Sequence, residues 1–163
     1  MADAMEPSPP LIFPALGPLY HALAPYADAL IRVVVGLALV PHGLRFCFGM
    51  FPNSGSRALS LEALWTMLDA HGYRPGKFWA YAIATLELVG GPLIALGLFT
   101  RPLALASFVF LVTGAIEHWR YDGYFWNKLG LEYPMVWAAG TLFFAIHGGG
   151  PLSLDSWLLA YEF

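Results

Sequence analysis

Cysteine is nearly absent from this sequence of 163 residues. Because Cys47 stands alone, an internal disulfide, a CxxC redox pair, a thiolate zinc site and an iron–sulfur cluster are all excluded. No metal site is predicted. Basic residues are missing from the first stretch, MADAMEPSPPLIFP, which has acidic residues and prolines where a signal peptide needs lysine or arginine. We therefore expect no cleavage there.

Charged residues are also scarce, at 12% of the chain, whereas 58% of the residues are apolar. A soluble domain carries about 25% charged residues, so this chain has too little polar surface to cover a globule in water. The few basic residues form no block and the net charge is −3, which excludes a nucleic-acid partner. The composition predicts a membrane protein in contact with the lipid bilayer, and the length predicts one domain.

Four windows approach the length of roughly 20 apolar residues that a membrane span needs. They are Ala27–Phe48, Phe78–Phe99, Pro102–Ile116 and Tyr133–Gly148. Only Thr100-Arg101-Pro102 separates the second window from the third, which predicts a tight turn between antiparallel neighbours. The predicted fold is all-α: an integral membrane four-helix bundle, with short interfacial helices in the first loop and at the C-terminus.

Three parts follow from this reading: a Pro-rich interfacial tail at 1–26, a four-helix membrane domain at 27–150 and an interfacial segment at 151–163. The prolines of the tail argue against one regular helix over residues 7–26.

The first loop contains one helical pattern. SLEALWTMLDAHG predicts a surface-lying helix around Leu61–Leu68, with Ser60 as its N-cap and Gly72 as its stop.

Lysine and arginine are distributed unevenly between the two faces of the predicted bundle. Six fall on the side of the first and third loops, whereas the other face has only Arg101. The positive-inside rule therefore predicts cytoplasmic first and third loops, with both termini outside. The six residues are Arg45, Arg57, Arg74, Lys77, Arg120 and Lys128.

Two charged residues lie well away from the ends of the predicted spans, Arg32 and Glu87. Each costs about 2.5–3.5 kcal/mol near a helix centre unless it has a partner or a polar cavity. Each shares a helical face with small residues, Arg32 with Gly36 and Gly43, and Glu87 with Gly90 and Gly91. Such faces pack against other helices, so both charges should point inward.

These residues predict an inward-facing polar column. We expect the Glu87 carboxylate to meet either Arg32 or His42. The residues alone leave two interpretations of the column open: a structural ion-pair network, and a site for protons or a ligand. Its six members are Arg32, His42, Glu87, Glu117, His118 and Glu132.

Three motifs carry a resemblance to a known family. Arg32 followed by GLALVPHGLRFCFG, then LELVGGPLIALGLFTRP, then GGGPLSLD resembles the DoxX family of small four-helix bacterial membrane proteins. The pattern covers residues 30–155. A lysine is usual in the family where Arg45 or Phe46 stands, and Gly-Pro-Gly often replaces Gly149-Gly150-Pro151. The matching positions are Arg32, His42, Gly43, Glu87, Gly90, Gly91, Gly97, Thr100, Arg101, Ser153, Leu154 and Asp155.

The resemblance implies a multi-pass protein of the bacterial inner membrane. It suggests an accessory or anchoring subunit of a membrane oxidoreductase, with other membrane subunits as partners. No intrinsic cofactor is expected, and a quinone is the molecule that the resemblance suggests. The chain has no redox-centre or hydrolase motif, so whether it is an enzyme stays open. The alternatives are a non-enzymatic protein that binds lipid or a small molecule or assists assembly, and a proton or ion pathway.

Overall fold

In a computed structural model of the chain, which describes residues 9–159, all regular structure is helical. A 3₁₀ turn at Pro14–Leu16 leads into the first helix, and a π-helical turn at Asp155–Leu159 ends the described chain. The five main helices are α1 (Gly17–Phe48), α2 (Leu61–Ala70), α3 (Gly76–Leu96), α4 (Thr100–Asp122) and α5 (Glu132–His147).

Three of these helices, α1, α3 and α4, are long and apolar enough to cross a membrane within the described residues. The all-helical membrane architecture is thereby confirmed. α5 has 16 residues, about 24 Å at 1.5 Å per residue, which is shorter than a hydrocarbon core of about 30 Å. It packs extensively along α4. A fourth crossing, and so the complete four-helix bundle, stays a prediction.

The predicted turn at Thr100-Arg101-Pro102 is wrong, because these residues form the first turn of α4. A proline is tolerated there, since the first helical N–H groups need no partner within the helix. The turn lies three residues earlier, where Gly97 (φ +73°) and Phe99 (φ +51°) are both left-handed. The two helices are still joined by a short connection, as antiparallel neighbours.

The first helix begins at Gly17, ten residues before the predicted start at Ala27. Pro18 lies in its first turn, and Pro25 lies within the helix, where it removes one backbone hydrogen bond without ending the helix. The predicted tail boundary at residue 26 therefore falls inside α1. Residues 1–8 and 160–163 of the predicted terminal segments lie outside the described residues.

The predicted loop helix is confirmed as α2. The Ser60 hydroxyl caps it by accepting from the Ala63 N–H at 3.1 Å, and Gly72 follows its end with φ +92°. The buried Leu64 belongs to a cluster with Phe46 and Ala80, so the apolar stripe packs on the ends of α1 and α3.

Two glycines set the register between α1 and α3. A Cβ on Gly36 would lie 2.6 Å from the backbone nitrogen of Ala95, and one on Gly43 would lie 2.6 Å from Leu88 Cγ. Because both distances are far below contact, only glycine lets the two backbones approach this closely. The register places Gly43 level with Glu87, which a Cβ on Gly43 would also touch.

Candidate functional site at the π-helical turn of α3

Glu87 lies in a π-helical turn, Leu86–Gly90, in the middle of α3. The local cause is Pro92, which has no N–H to donate to the Leu88 carbonyl. The Gly91 N–H donates instead to the carbonyl of Leu86, five residues back. Single π-helical turns within α-helices are frequent at functional sites. Glu87 is only 2% exposed, so the prediction that it points inward is confirmed.

The charged group that acts on Glu87 is Arg45, near the end of α1. Arg45 is itself buried, and its guanidinium lies 4.6 Å from the ring centre of Phe46. Among the described residues, neither Glu87 Oε2 nor Arg45 Nε has a hydrogen-bond partner. A buried charged group that only stabilises a fold normally has its lone pairs and protons hydrogen-bonded. Glu87 Oε2 can still accept a hydrogen bond, and Arg45 Nε can still donate one.

His42 lies beside the same turn, because it precedes Gly43. It is half-buried, and Arg45 lies one turn further along α1. The π-helical turn that holds Glu87 packs against both α1 and α4. We call Glu87, Arg45 and His42 the Glu87 site. Its chemistry is a carboxylate that can accept a hydrogen bond or a proton, beside a guanidinium and an imidazole that can donate.

Of the two partners predicted for Glu87, Arg32 or His42, the Arg32 alternative is wrong. Arg32 is buried, but its Nη1 donates to the carbonyl of Gly149 and its Nη2 to that of Leu152 at 2.6 Å. The helix register explains why the two charges do not meet. Arg32 lies 11 residues from Gly43 along α1, about 16 Å at 1.5 Å per residue.

Arg32 instead belongs to a cluster at the opposite end of the bundle. The Asp155 carboxylate accepts from the backbone N–H groups of Phe99 (2.7 Å) and Thr100 (2.9 Å), which begin α4. The Asp155 N–H donates to the carbonyl of Gly97 at 2.7 Å, and the charge of Arg32 acts on Asp155. These contacts fix the C-terminal segment to the turn between α3 and α4.

Other positions singled out by the resemblance lie at this same end. Ser153 is buried, and its hydroxyl donates to the carbonyl of Gly150 at 2.6 Å. Arg101 donates to the carbonyl of Ile146, near the end of α5, at 2.6 Å. All of these bonds go to the backbone, which indicates a structural role for this half of the motif.

The members of the column on α4 form a third, separate group. Glu117 Oε1 accepts from the Tyr73 hydroxyl at 2.9 Å and from Arg120 at 3.2 Å. His71 Nδ1 lies 2.8 Å from Glu117 Oε2 without the alignment of a hydrogen bond. Burial and the bond to Glu117 raise the pKa of Tyr73. These contacts attach the first loop to the end of α4.

The remaining two members have local partners. His118 Nδ1 lies 3.3 Å from Asp122 Oδ2, one turn along α4, and Asp122 also pairs with Arg57. Glu132 Oε2 accepts from the Trp126 N–H at 3.1 Å, so it organises the loop before α5 and does not line the helix interior. A continuous column from Arg32 to Glu132 is therefore wrong.

Arg45 is the site residue that sequence reasoning missed, because it was counted only as a charge that sets orientation. The sequence did contain a signal for the position of Arg45, namely the glycines at 36, 43, 90 and 91 that let α1 and α3 pack closely. Matching those small faces would have placed Glu87 opposite the end of α1.

The described residues contain no group of three or more metal-ligating side chains. An open groove of about 260 Å³ lies between α4 and α5 and has an entirely apolar lining. Its shape and chemistry suit a hydrocarbon chain. The lining residues are Val112, Ala115, Ile116, Trp119, Leu131, Met135 and Ala138.

Comparison with known proteins gives one match. A family model described as DoxX matches residues 27–119, which include α3 with its π-helical turn and most of α1 and α4. No curated protein and no solved structure matches the chain.

Proposed function

The chain belongs to the DoxX family, and from that premise we propose that it is an accessory subunit of a membrane oxidoreductase complex that holds a quinone headgroup at the Glu87 site. One observation carries the proposal. A buried carboxylate within a membrane-spanning helix has an oxygen without a hydrogen-bond partner, next to a buried arginine in the same condition. Ionisable groups at such depth are costly and mark ligand or proton sites.

The two redox states of a quinone fit the donors and acceptors of the site. A quinone carbonyl accepts hydrogen bonds, which Arg45 and His42 can donate. A quinol hydroxyl donates, and Glu87 Oε2 can accept. The Phe46 ring beside Arg45 supplies an apolar wall, as small-molecule pockets generally have. The chain itself transfers no electrons in this proposal, because the partner subunit supplies the redox centre.

We propose in addition that α5 is a fourth span and that the protein lies in a bacterial inner membrane, with its first and third loops cytoplasmic and its termini outside. The excess of lysine and arginine on one face supports this orientation. Single cysteines at Ser56, in the first loop, and at Ser156, in the C-terminal π-helical turn, test it in a Cys47→Ser background. An impermeant reagent added outside intact cells should label Ser156→Cys and not Ser56→Cys. The reverse pattern would overturn the orientation.

Binding of decylubiquinone and its quinol to the purified protein in lipid nanodiscs tests the quinone site. We expect Glu87→Gln to weaken quinol binding about tenfold, or roughly 1.4 kcal/mol, because an amide oxygen accepts a weaker hydrogen bond than a carboxylate. Quinone binding should change less, because its partners are Arg45 and His42. The matched control is Glu62→Gln, an exposed position on α2. If Glu87→Gln binds the quinone and the quinol as tightly as Glu62→Gln does, the proposal is contradicted.

The apolar groove between α4 and α5 favours a second candidate, a non-enzymatic protein that binds lipid. Ala115→Phe would fill this groove. If lipid is the ligand, mass spectrometry of the purified protein should show less retained lipid in this variant. The companion variant Glu87→Gln should then retain as much lipid as the unchanged protein, which separates the two functions.

A further inference from the structure

α1 is longer than the bundle to which it belongs. It has 32 residues, about 48 Å at 1.5 Å per residue. Its first buried residue is Arg32, which lies against Gly97 at the end of α3. The preceding residues of the helix, 17–31, are 15 in number and extend about 22 Å beyond that level by the same rise.

One face of α1 carries a seven-residue repeat of leucine along the whole helix. Leucine recurs at every seventh position, and an apolar residue or tyrosine follows three positions after each of the first four leucines. This is the a/d pattern of helices that pair with one another, sustained over four repeats. We call this face the leucine seam: Leu16, Leu19, Leu23, Tyr26, Leu30, Val33, Leu37, Val40 and Leu44.

The bundle leaves most of the leucine seam exposed; only Val40, which lies near Gly91 of α3, and Leu44 are partly buried. The residues of α1 that are buried in the bundle, such as Arg32, Val35 and Leu39, lie at other positions of the repeat. Leu23 is 53% exposed and Leu30 is 65% exposed.

We call residues 17–31 of α1 the extension, and its charged and histidine side chains lie off the seam. Between residues 17 and 31 the only ionisable side chains besides tyrosine are His21 and Asp28. They are seven residues apart, both on the face opposite the seam. The extension is therefore amphipathic with the period of a paired helix.

We propose that the leucine seam is the interface with a second copy of this chain, in a parallel two-fold dimer through α1. Lipid imposes no seven-residue repeat, whereas helix pairing does. The positions that flank the seam in the extension are uncharged: Tyr20, Ala22, Ala27 and Ala29. They hold no like charges that would repel an identical helix and none of the charges by which paired helices select a different partner.

In a membrane, the α1 helices of two copies of this chain can pair only in the parallel direction. Both copies insert in the same orientation, so their first helices run in the same direction. A two-fold axis then places each seam leucine opposite the same leucine of the other copy, as an isologous interface requires. The proposal is independent of the Glu87 site, because none of the seam residues belongs to it.

Disulfide cross-linking in membranes tests the interface. In a Cys47→Ser background, Leu23→Cys places a thiol on the seam and His21→Cys places one on the opposite face. Facing seam positions of paired helices lie within the distance of about 4.4–6.8 Å between Cα atoms that a disulfide spans. After mild oxidation we expect Leu23→Cys to run at twice the 17.9 kDa monomer mass, at least tenfold more than His21→Cys. Absent or equal cross-linking, or a product with a different protein, would overturn the proposal.

The mass of the purified protein in mild detergent gives a second test. We expect a dimer for the unchanged protein and for His21→Glu, and a monomer for Leu23→Glu. The bundle should stay folded in each case, since residues 17–31 contribute nothing buried to it; circular dichroism checks this. A monomeric unchanged protein would mean that lipid covers the seam, and the proposal would be wrong.

Discussion

The contact between Asp155 and the start of α4 can be tested by replacing the carboxylate with an amide. Asp155 is 2% exposed and accepts from two backbone N–H groups, those of Phe99 and Thr100. Asp155→Asn presents an NH₂ group to one of those donors, and a lost hydrogen bond to a charged group costs about 1.5–3 kcal/mol. It also removes the counter-charge of Arg32, which is 3% exposed. The expected loss of stability is therefore at least about 1.5–3 kcal/mol.

Equilibrium unfolding in mixed micelles with increasing SDS, followed by circular dichroism, measures this loss. The control Glu62→Gln should change the free energy of unfolding by no more than about 0.5 kcal/mol, because the residue is exposed. Arg32→Met and the double variant Arg32→Met/Asp155→Asn complete a cycle. We expect the double variant to be less destabilised than the sum of the single ones by at least 1 kcal/mol or so. Additivity within about 0.5 kcal/mol would refute the electrostatic link between the two residues.

Two further substitutions test the packing and the loop attachment. Gly43→Ala should lower the SDS midpoint and separate α1 from α3, because its Cβ would lie 2.6 Å from Leu88 Cγ; an unchanged midpoint would contradict the register. Tyr73→Phe should cost about 1 kcal/mol through the lost hydrogen bond to Glu117, whereas the exposed control Tyr81→Phe should cost almost nothing. The raised pKa of Tyr73 adds a pH test: its contribution should be complete below the ordinary value of 10.0 and lost as pH rises through the raised value. A Tyr73→Phe variant with the same pH profile as the unchanged protein would contradict it.

Helix positions and inward faces were predictable from the sequence, since both depend on local patterns. The apolar runs predicted α1, α3 and α4, and the stripe with its Ser60 cap predicted α2. Small residues beside Glu87 predicted its burial correctly.

The partners of the charged residues were less predictable, because they depend on register and on chain segments distant in sequence. Arg32 was taken as a possible partner of Glu87 because both residues point inward, whereas the partners of Arg32 are backbone carbonyls of residues 149 and 152, which no side-chain pattern reveals. Glu132 was placed on an inward face by its position alone, yet its partner is the N–H of Trp126 in the adjoining loop. The early start of α1 was missed because a proline inside a helix was taken as a stop, although the helix continues through Pro25.

Infrared difference spectroscopy on the Glu87 carboxyl group tests the proposed quinone site most directly. Spectra of the protein in nanodiscs are recorded before and after addition of decylubiquinol, for the unchanged protein, for Glu87→Gln and for the control Glu62→Gln. If Glu87 Oε2 accepts a bond from the quinol, a carboxyl or carboxylate band should shift on addition, remain in Glu62→Gln and disappear in Glu87→Gln. A spectrum with no ligand-induced band that depends on Glu87 would contradict the account.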